Sequence, residues 1–90
     1  MSMMNKRSLK KAINAVSDQL FANAVAVSLY GSNRNAENDE ALINSIITLR
    51  EDFVSRISHP EPGMTKQAYY KDLREKFTTQ AQEIADQISL

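Results

Sequence analysis

The chain has 90 residues, no cysteine and a net charge of zero from 11 basic and 11 acidic residues. This length fits one domain over residues 1–90, and the lack of cysteine excludes disulfides and thiolate-bound zinc. The most apolar stretch, residues 20–30, is shorter than the roughly 18 residues that a membrane span needs. With no signal-peptide pattern near its start, we expect a cytoplasmic protein that does not bind a membrane.

The first predicted helix covers about residues 8–30. Ser8 is a suitable N-cap, and Gly31 suits the residue that follows a helix end. Apolar residues recur at the helical steps of three and four: Leu9, Ile13, Val16, Leu20, Ala24 and Val27. Residues 25–30 could also form a strand, but the helical pattern continues into them without a break. The Asn- and Ser-rich segment 31–38 is predicted to be a loop.

The second and third predicted helices cover about residues 39–58 and 65–89. Asn38 or Asp39 can cap the second helix, and Pro60 restricts the preceding residue to non-helical angles, so that helix ends before it. Thr65 is predicted to cap the third helix. Because short loops join long amphipathic helices, the sequence predicts an all-α, antiparallel three-helix bundle.

Three stretches of the sequence carry a resemblance to a known family. They are KRSLKKAI at 6–13, SRISHPEPGM at 55–64 and AYYKDL at 68–73. Together they resemble a family of short, uncharacterised all-helical proteins from Bacteroides-like bacteria. The resemblance implies a bacterial, single-domain helical protein and brings no activity or site with it.

Residues that could carry catalysis or bind a metal are sparse. His59 is the one histidine and lies in a proline-rich turn, while Glu51 and Asp52 are adjacent and therefore point about 100° apart on a helix. With only two glycines, there is no phosphate-binding loop. We predict a protein that is not an enzyme, with no catalytic residues, cofactor or metal. A small enzyme or enzyme subunit is kept as an alternative that no residue supports.

The second half of the first helix carries two apolar faces. Phe21, Val25 and Leu29 form a face about 140° around the helix from the main stripe. Either helices two and three cover both faces within one subunit, or a second copy of the chain covers one of them. We favour the second copy and predict a homodimer that self-associates through these three residues, since a large exposed apolar patch is unusual on a monomer.

Arg50 breaks the apolar pattern of the second helix. On a helical wheel it falls inside the arc of apolar residues, where an unpaired charge would cost several kcal/mol. It either extends along a groove or pairs with an acid such as Asp18, or it binds an anion at an interface or pocket.

Positive charges collect where the helix dipole disfavours them. Residues 1–31 hold four cations against one carboxylate, and residues 32–63 hold three cations against six carboxylates. In an up-down-up bundle the N-termini of the first and third helices lie at one pole with the end of the second. Either nearby acids neutralise this basic pole (Glu51, Asp52, Glu61 and Asp72), or the pole binds an anionic partner.

The function predicted from these features is a helical interaction module that acts by self-association or through a protein partner. The alternative is a binding protein for an anionic ligand or a nucleic acid through the basic pole. Nucleic acid is the least favoured, because no recognised binding motif occurs. The residues predicted for partner or anion binding are Lys6, Arg7, Lys10, Lys11, Arg50 and Arg56.

Overall fold

The first helix, α1, spans Lys6–Tyr30 in a computed structural model that describes residues 5–30 and 36–89. Its N-cap is Asn5. The Ser8 amide donates to Asn5 Oδ1 at 2.8 Å, and the Asn5 amide donates to Ser8 Oγ at 3.3 Å. The prediction that Ser8 caps the helix is therefore wrong. Asn is as good an N-cap as Ser. Here the side chain of each residue accepts a hydrogen bond from the backbone amide of the other, so the helix starts at Lys6 and not after Ser8.

The second helix, α2, spans Ala36–Ile57 and begins three residues earlier than the sequence predicts. Residues 36–38 are helical rather than part of a loop, and Asn38 and Asp39 lie inside the first turn instead of capping it. Glu37 and Asp39 place carboxylates at the positive end of the helix dipole. Gly31, predicted to follow the end of α1, lies outside the described residues.

The third helix, α3, spans Lys66–Ser89. Thr65 caps it as predicted, since Thr65 Oγ1 accepts a hydrogen bond from the Ala68 amide at 3.2 Å. Between α2 and α3 the chain turns through residues 58–65. The Ser58 and His59 amides donate to the Ser55 and Arg56 carbonyls, both at 3.1 Å, which closes the end of α2 before Pro60.

All three helices pack against one another, and the residues described include no strand. The predicted all-α three-helix bundle is confirmed, and the alternative of a strand at residues 25–30 is wrong because these residues complete α1. At the centre, Phe53 and Phe77 meet edge to face with centroids 5.4 Å apart. The buried apolar core consists of Leu9, Ile13, Leu20, Ala24, Ile46, Leu49, Phe53, Ile57, Tyr70, Leu73, Phe77, Ala81 and Ile88.

The helices are staggered along the bundle axis. The groove between α1 and α3 has Leu9 to Leu20 on one wall and Arg74 to Ala85 on the other. From the end of this groove α1 continues for ten residues and α3 for four. At 1.5 Å per residue, α1 therefore reaches about 9 Å farther from this groove than the described part of α3 does.

One side chain ties the end of α2 to the start of α3. The Tyr69 hydroxyl lies 2.9 Å from the Arg56 carbonyl oxygen and 3.2 Å from that of His59, so it can donate to either oxygen. The Arg56 oxygen also accepts a hydrogen bond from the His59 amide. Tyr69 therefore fixes the angle at which the chain leaves α2 and enters α3.

We expect Tyr69→Phe to lower the free energy of unfolding by about 1 kcal/mol, because it removes this hydroxyl and leaves the ring in place. Urea unfolding followed by circular dichroism measures the change. Tyr70→Phe is the matched control, since Tyr70 is buried but its hydroxyl has no hydrogen-bond partner within residues 5–30 and 36–89. Equal effects from the two substitutions would contradict a specific role for Tyr69.

Candidate interaction surface

The apolar segment of α1, defined as Phe21, Val25 and Leu29, stays partly open to solvent in the bundle. Phe21 is 41% exposed and Leu29 is 58% exposed, while Val25 is half-buried. The steps of four residues place the three side chains in a row along the helix. Helices α2 and α3 therefore do not cover the second apolar face.

More apolar surface is exposed near the end of α1. Val27 is 42% exposed and Tyr30 is 85% exposed. Val27 belongs to the predicted stripe that starts at Leu9, and Val16 of the same stripe is 40% exposed, so the bundle does not cover the whole stripe. The exposed apolar surface thus extends around the end of α1 beyond the apolar segment.

The basic segment of α1, defined as Lys6, Arg7, Lys10 and Lys11, precedes the apolar segment on the same helix. Its four residues line one shallow concavity on the surface, together with Asn14, Ala15 and Asp18. None of the four cations forms an ion pair with a carboxylate in the described part of the chain. At 100° per residue, Arg7 and Lys11 fall within about 40° of Val25 around the axis. One outer face of α1 therefore changes from basic to apolar along its length.

Arg50 lies at the edge of the groove between α1 and α2. Its Nη1 is 3.8 Å from Asp18 Oδ1, and the side chains of Arg50 and Asp18 are 44% and 73% exposed. The helical wheel places Arg50 among core residues, and the side chain reaches water from there, as expected from the sequence for an arginine at this position. The pairing with Asp18 is one of the alternatives that the sequence offers. An exposed pair at this distance contributes little to stability.

Arg56 makes contacts within the bundle. Its Nη2 is 3.0 Å from Asp52 Oδ2, its Nε donates to Asp52 Oδ1 at 3.1 Å, and its guanidinium lies 4.7 Å from the centre of the Phe53 ring. This two-point pairing and the ring contact hold the side chain against the core. Asp52 therefore engages the Nε and Nη2 donors of Arg56, the edge of the guanidinium that would otherwise bind an anion at two points.

The acids near the basic pole divide into two groups. Asp52 pairs with Arg56, and Asp72 pairs with Lys76 at 2.9 Å, each within its own helix. Glu51 and Glu61 form no ion pair with another described residue. The acids Asp52 and Asp72 therefore neutralise cations of their own helices, α2 and α3, and they do not pair with the basic segment of α1.

His59, the acidic side chains and Ser17 are the remaining polar groups of interest. His59 is exposed, and its Nδ1 is 2.9 Å from the Ser55 carbonyl oxygen. Across residues 5–30 and 36–89, no three His, Asp or Glu side chains lie together as metal ligands would. A cavity of about 350 Å³ between α1 and α2 is lined by Ser17, Asp18, Phe21, Ile46, Ile47 and Arg50. Ser17 is the one buried polar residue in the described core.

No protein-family model, curated protein or solved structure matches this chain. The resemblance to helical proteins of Bacteroides-like bacteria therefore stays a prediction. Among the described helices, none combines the length and the apolar character that crossing a membrane requires.

Sequence reasoning identified the apolar and basic segments but missed the link through Tyr69. The two apolar faces of α1 follow from helical periodicity, which is visible in the sequence. The Tyr69 hydroxyl, by contrast, binds carbonyls 10 and 13 residues away across a turn. The only sign of this link in the sequence is the position of Tyr69, four residues after the Thr65 cap and close to the turn.

Proposed function

We propose that this protein is a helical interaction module that self-associates through the apolar segment of α1. The observation that carries the proposal is the exposure of Phe21 and Leu29 on a face that the bundle leaves open. Burial of apolar surface lowers the free energy by about 25 cal/mol per Å². Covering this face is therefore the main source of favourable free energy for association. A non-enzymatic role is part of the proposal.

The self-association proposal rests on the kind of surface involved. Apolar patches of a few hundred Å² on a soluble domain commonly mark interfaces, and a symmetric pair is the commonest way to cover one. The segment is continuous along one helix rather than scattered, because its members are four residues apart. We also propose that the protein acts in the bacterial cytoplasm.

We expect Leu29→Glu and Val25→Glu to shift the protein from dimer to monomer. Each substitution places a carboxylate in the centre of the apolar contact, where its desolvation opposes pairing. Light scattering coupled to size exclusion, over a series of concentrations, measures the mass. Circular dichroism of each variant establishes that the bundle is still folded.

Ala26→Glu is the matched control, because Ala26 is exposed on α1 and points about 100° away from Val25. It adds the same charge to the same helix and should leave the dimer intact. A wild-type protein that is monomeric at high concentration would overturn the proposal, as would loss of the dimer in all three variants alike.

A second candidate function has one observation in its favour. The basic segment of α1 has no carboxylate partners among the described residues, as expected for a surface that binds an anionic partner. Such binding would weaken steeply as salt rises, whereas association through the apolar segment would not. Titrating the protein with an acidic peptide at low and high salt separates the two proposals.

A further inference from the structure

We infer that the cavity between α1 and α2 binds a free α-amino acid with an aliphatic side chain. Its volume of about 350 Å³ is at the lower end of the range for small-molecule sites, so it suits a small ligand. The cavity brings together one cation, one carboxylate, one hydroxyl and three apolar side chains. These are Arg50, Asp18, Ser17, Phe21, Ile46 and Ile47. The inference goes beyond the proposed self-association and does not depend on it.

Ser17 is the first indication of a ligand. It lines the cavity, it is 2% exposed, and its Oγ has no hydrogen-bond partner among the described residues. A buried hydroxyl without a partner costs stability, and most buried polar groups in folded proteins do have one. A polar group of a bound ligand supplies the partner that the surrounding helices do not.

The charged pair at the cavity has hydrogen-bonding capacity to spare. Arg50 Nη1 and Asp18 Oδ1 are 3.8 Å apart, longer than the roughly 3.2 Å limit of an N–H···O hydrogen bond. Neither side chain forms a hydrogen bond with another described residue. Arg56, in contrast, is held by Asp52 at two points. The donors of Arg50 and the acceptors of Asp18 therefore remain available, side by side, to a ligand.

A cation beside a carboxylate favours a ligand that carries both charges. Asp18 would repel a simple anion, and Arg50 would repel a simple cation. In a free α-amino acid the carboxylate and the ammonium group are bonded to the same carbon atom. Its carboxylate can therefore accept two hydrogen bonds from Arg50 while its ammonium group donates to Asp18. The Ser17 hydroxyl can donate to the same carboxylate.

The apolar walls of the cavity determine the side chain of the ligand. Ile46 is 1% exposed and Ile47 is half-buried on α2, and Phe21 of α1 also lines the cavity. An aliphatic side chain gains free energy when these groups remove it from water. A charged or amide side chain would lose its hydration there without gaining a partner. The cavity therefore selects amino acids of the leucine type.

The test titrates ¹⁵N-labelled protein with L-leucine and follows the amide chemical shifts by NMR. The largest shifts should occur at Ser17, Asp18, Ile46 and Ile47, and they should saturate. The matched probes are 4-methylpentanoate, which is leucine without the ammonium group, and 3-methylbutylamine, which is leucine without the carboxylate. Each should bind at least about tenfold more weakly, because each leaves one member of the charged pair without a partner.

Two variants test the polar groups of the cavity. Arg50→Met should weaken leucine binding by at least about tenfold. Arg74→Met is its matched control and should not change the affinity, since Arg74 is exposed on α3 and lines a different groove. Ser17→Ala should weaken binding several-fold while the ligand-free protein becomes more stable, a combination that a folding defect would not produce.

Leu29→Glu separates the ligand site from self-association, since Leu29 does not line the cavity. This variant should be monomeric and should bind leucine with the affinity of the wild type. No saturable shifts at the cavity, or equal binding of either matched probe, would overturn the amino-acid site and leave the proposed function standing. Unchanged affinity in both Arg50→Met and Ser17→Ala, or loss of binding in Leu29→Glu, would overturn a site within one subunit.

Discussion

Phe53→Ala is expected to lower the free energy of unfolding by about 3–5 kcal/mol, as removal of a buried aromatic ring usually does. Phe53 is 0% exposed, it meets the edge of Phe77, and the Arg56 guanidinium lies over it. The substitution leaves a cavity where all three helices converge. Because small domains have a total stability of roughly 5–15 kcal/mol, the variant should be close to unfolding at room temperature.

Thermal and urea unfolding followed by circular dichroism measure this loss. Tyr30→Ala is the control, since it also removes an aromatic ring from a helix but from a side chain that is 85% exposed. We expect it to change stability by less than about 0.5 kcal/mol. A Phe53→Ala variant as stable as Tyr30→Ala would contradict the position of Phe53 at the centre of the bundle.

Ser17→Ala is expected to raise the free energy of unfolding by about 1–3 kcal/mol, the usual penalty of a buried polar group without a partner. Ser17 is 2% exposed, and its Oγ has no hydrogen-bond partner among the described residues. Alanine removes the stranded hydroxyl and is also the better helix former. The same unfolding measurements apply, and here the midpoint should move to higher urea.

Ser45→Ala is the matched control for the hydroxyl. Ser45 is exposed on α2, and its Oγ donates to the Ala41 carbonyl at 2.9 Å, so its removal should change stability by less than about 0.5 kcal/mol. If Ser17→Ala instead destabilises the protein, the Ser17 hydroxyl is satisfied in solution and the predicted penalty does not exist.

The three-helix architecture could be predicted because the information is local and repeated. Leu9, Ile13 and Leu20 recur at helical spacing, and each is buried. The helix starts were less accurate, since several polar residues near each start can act as caps. Asn5 and Ser8 are both good caps, and only their mutual hydrogen bonds decide that Asn5 is the one used.

The candidate site was predictable in part. The sequence indicates that Phe21 and Leu29 are exposed, because α1 has two apolar faces and a small bundle ordinarily covers one face of each helix. Pairing of Arg50 with Asp18 was one of the alternatives that the sequence offered, but the helical wheel alone could not choose between that pairing and an anion site. Arg56 was grouped with the anion-binding residues for its charge and its position at the end of the second helix, although Asp52, four residues earlier on the same helix, is its partner in the structure.

The exposed end of α1 has a consequence for local opening of the helix. Val27, Leu29 and Tyr30 are exposed there, so the backbone amides of this end should exchange with solvent more readily than those between Leu9 and Leu20. Leu29 lies in this weakly protected part. A partner that binds there would stabilise the helical conformation of this end, so that binding and the ordering of these residues occur together.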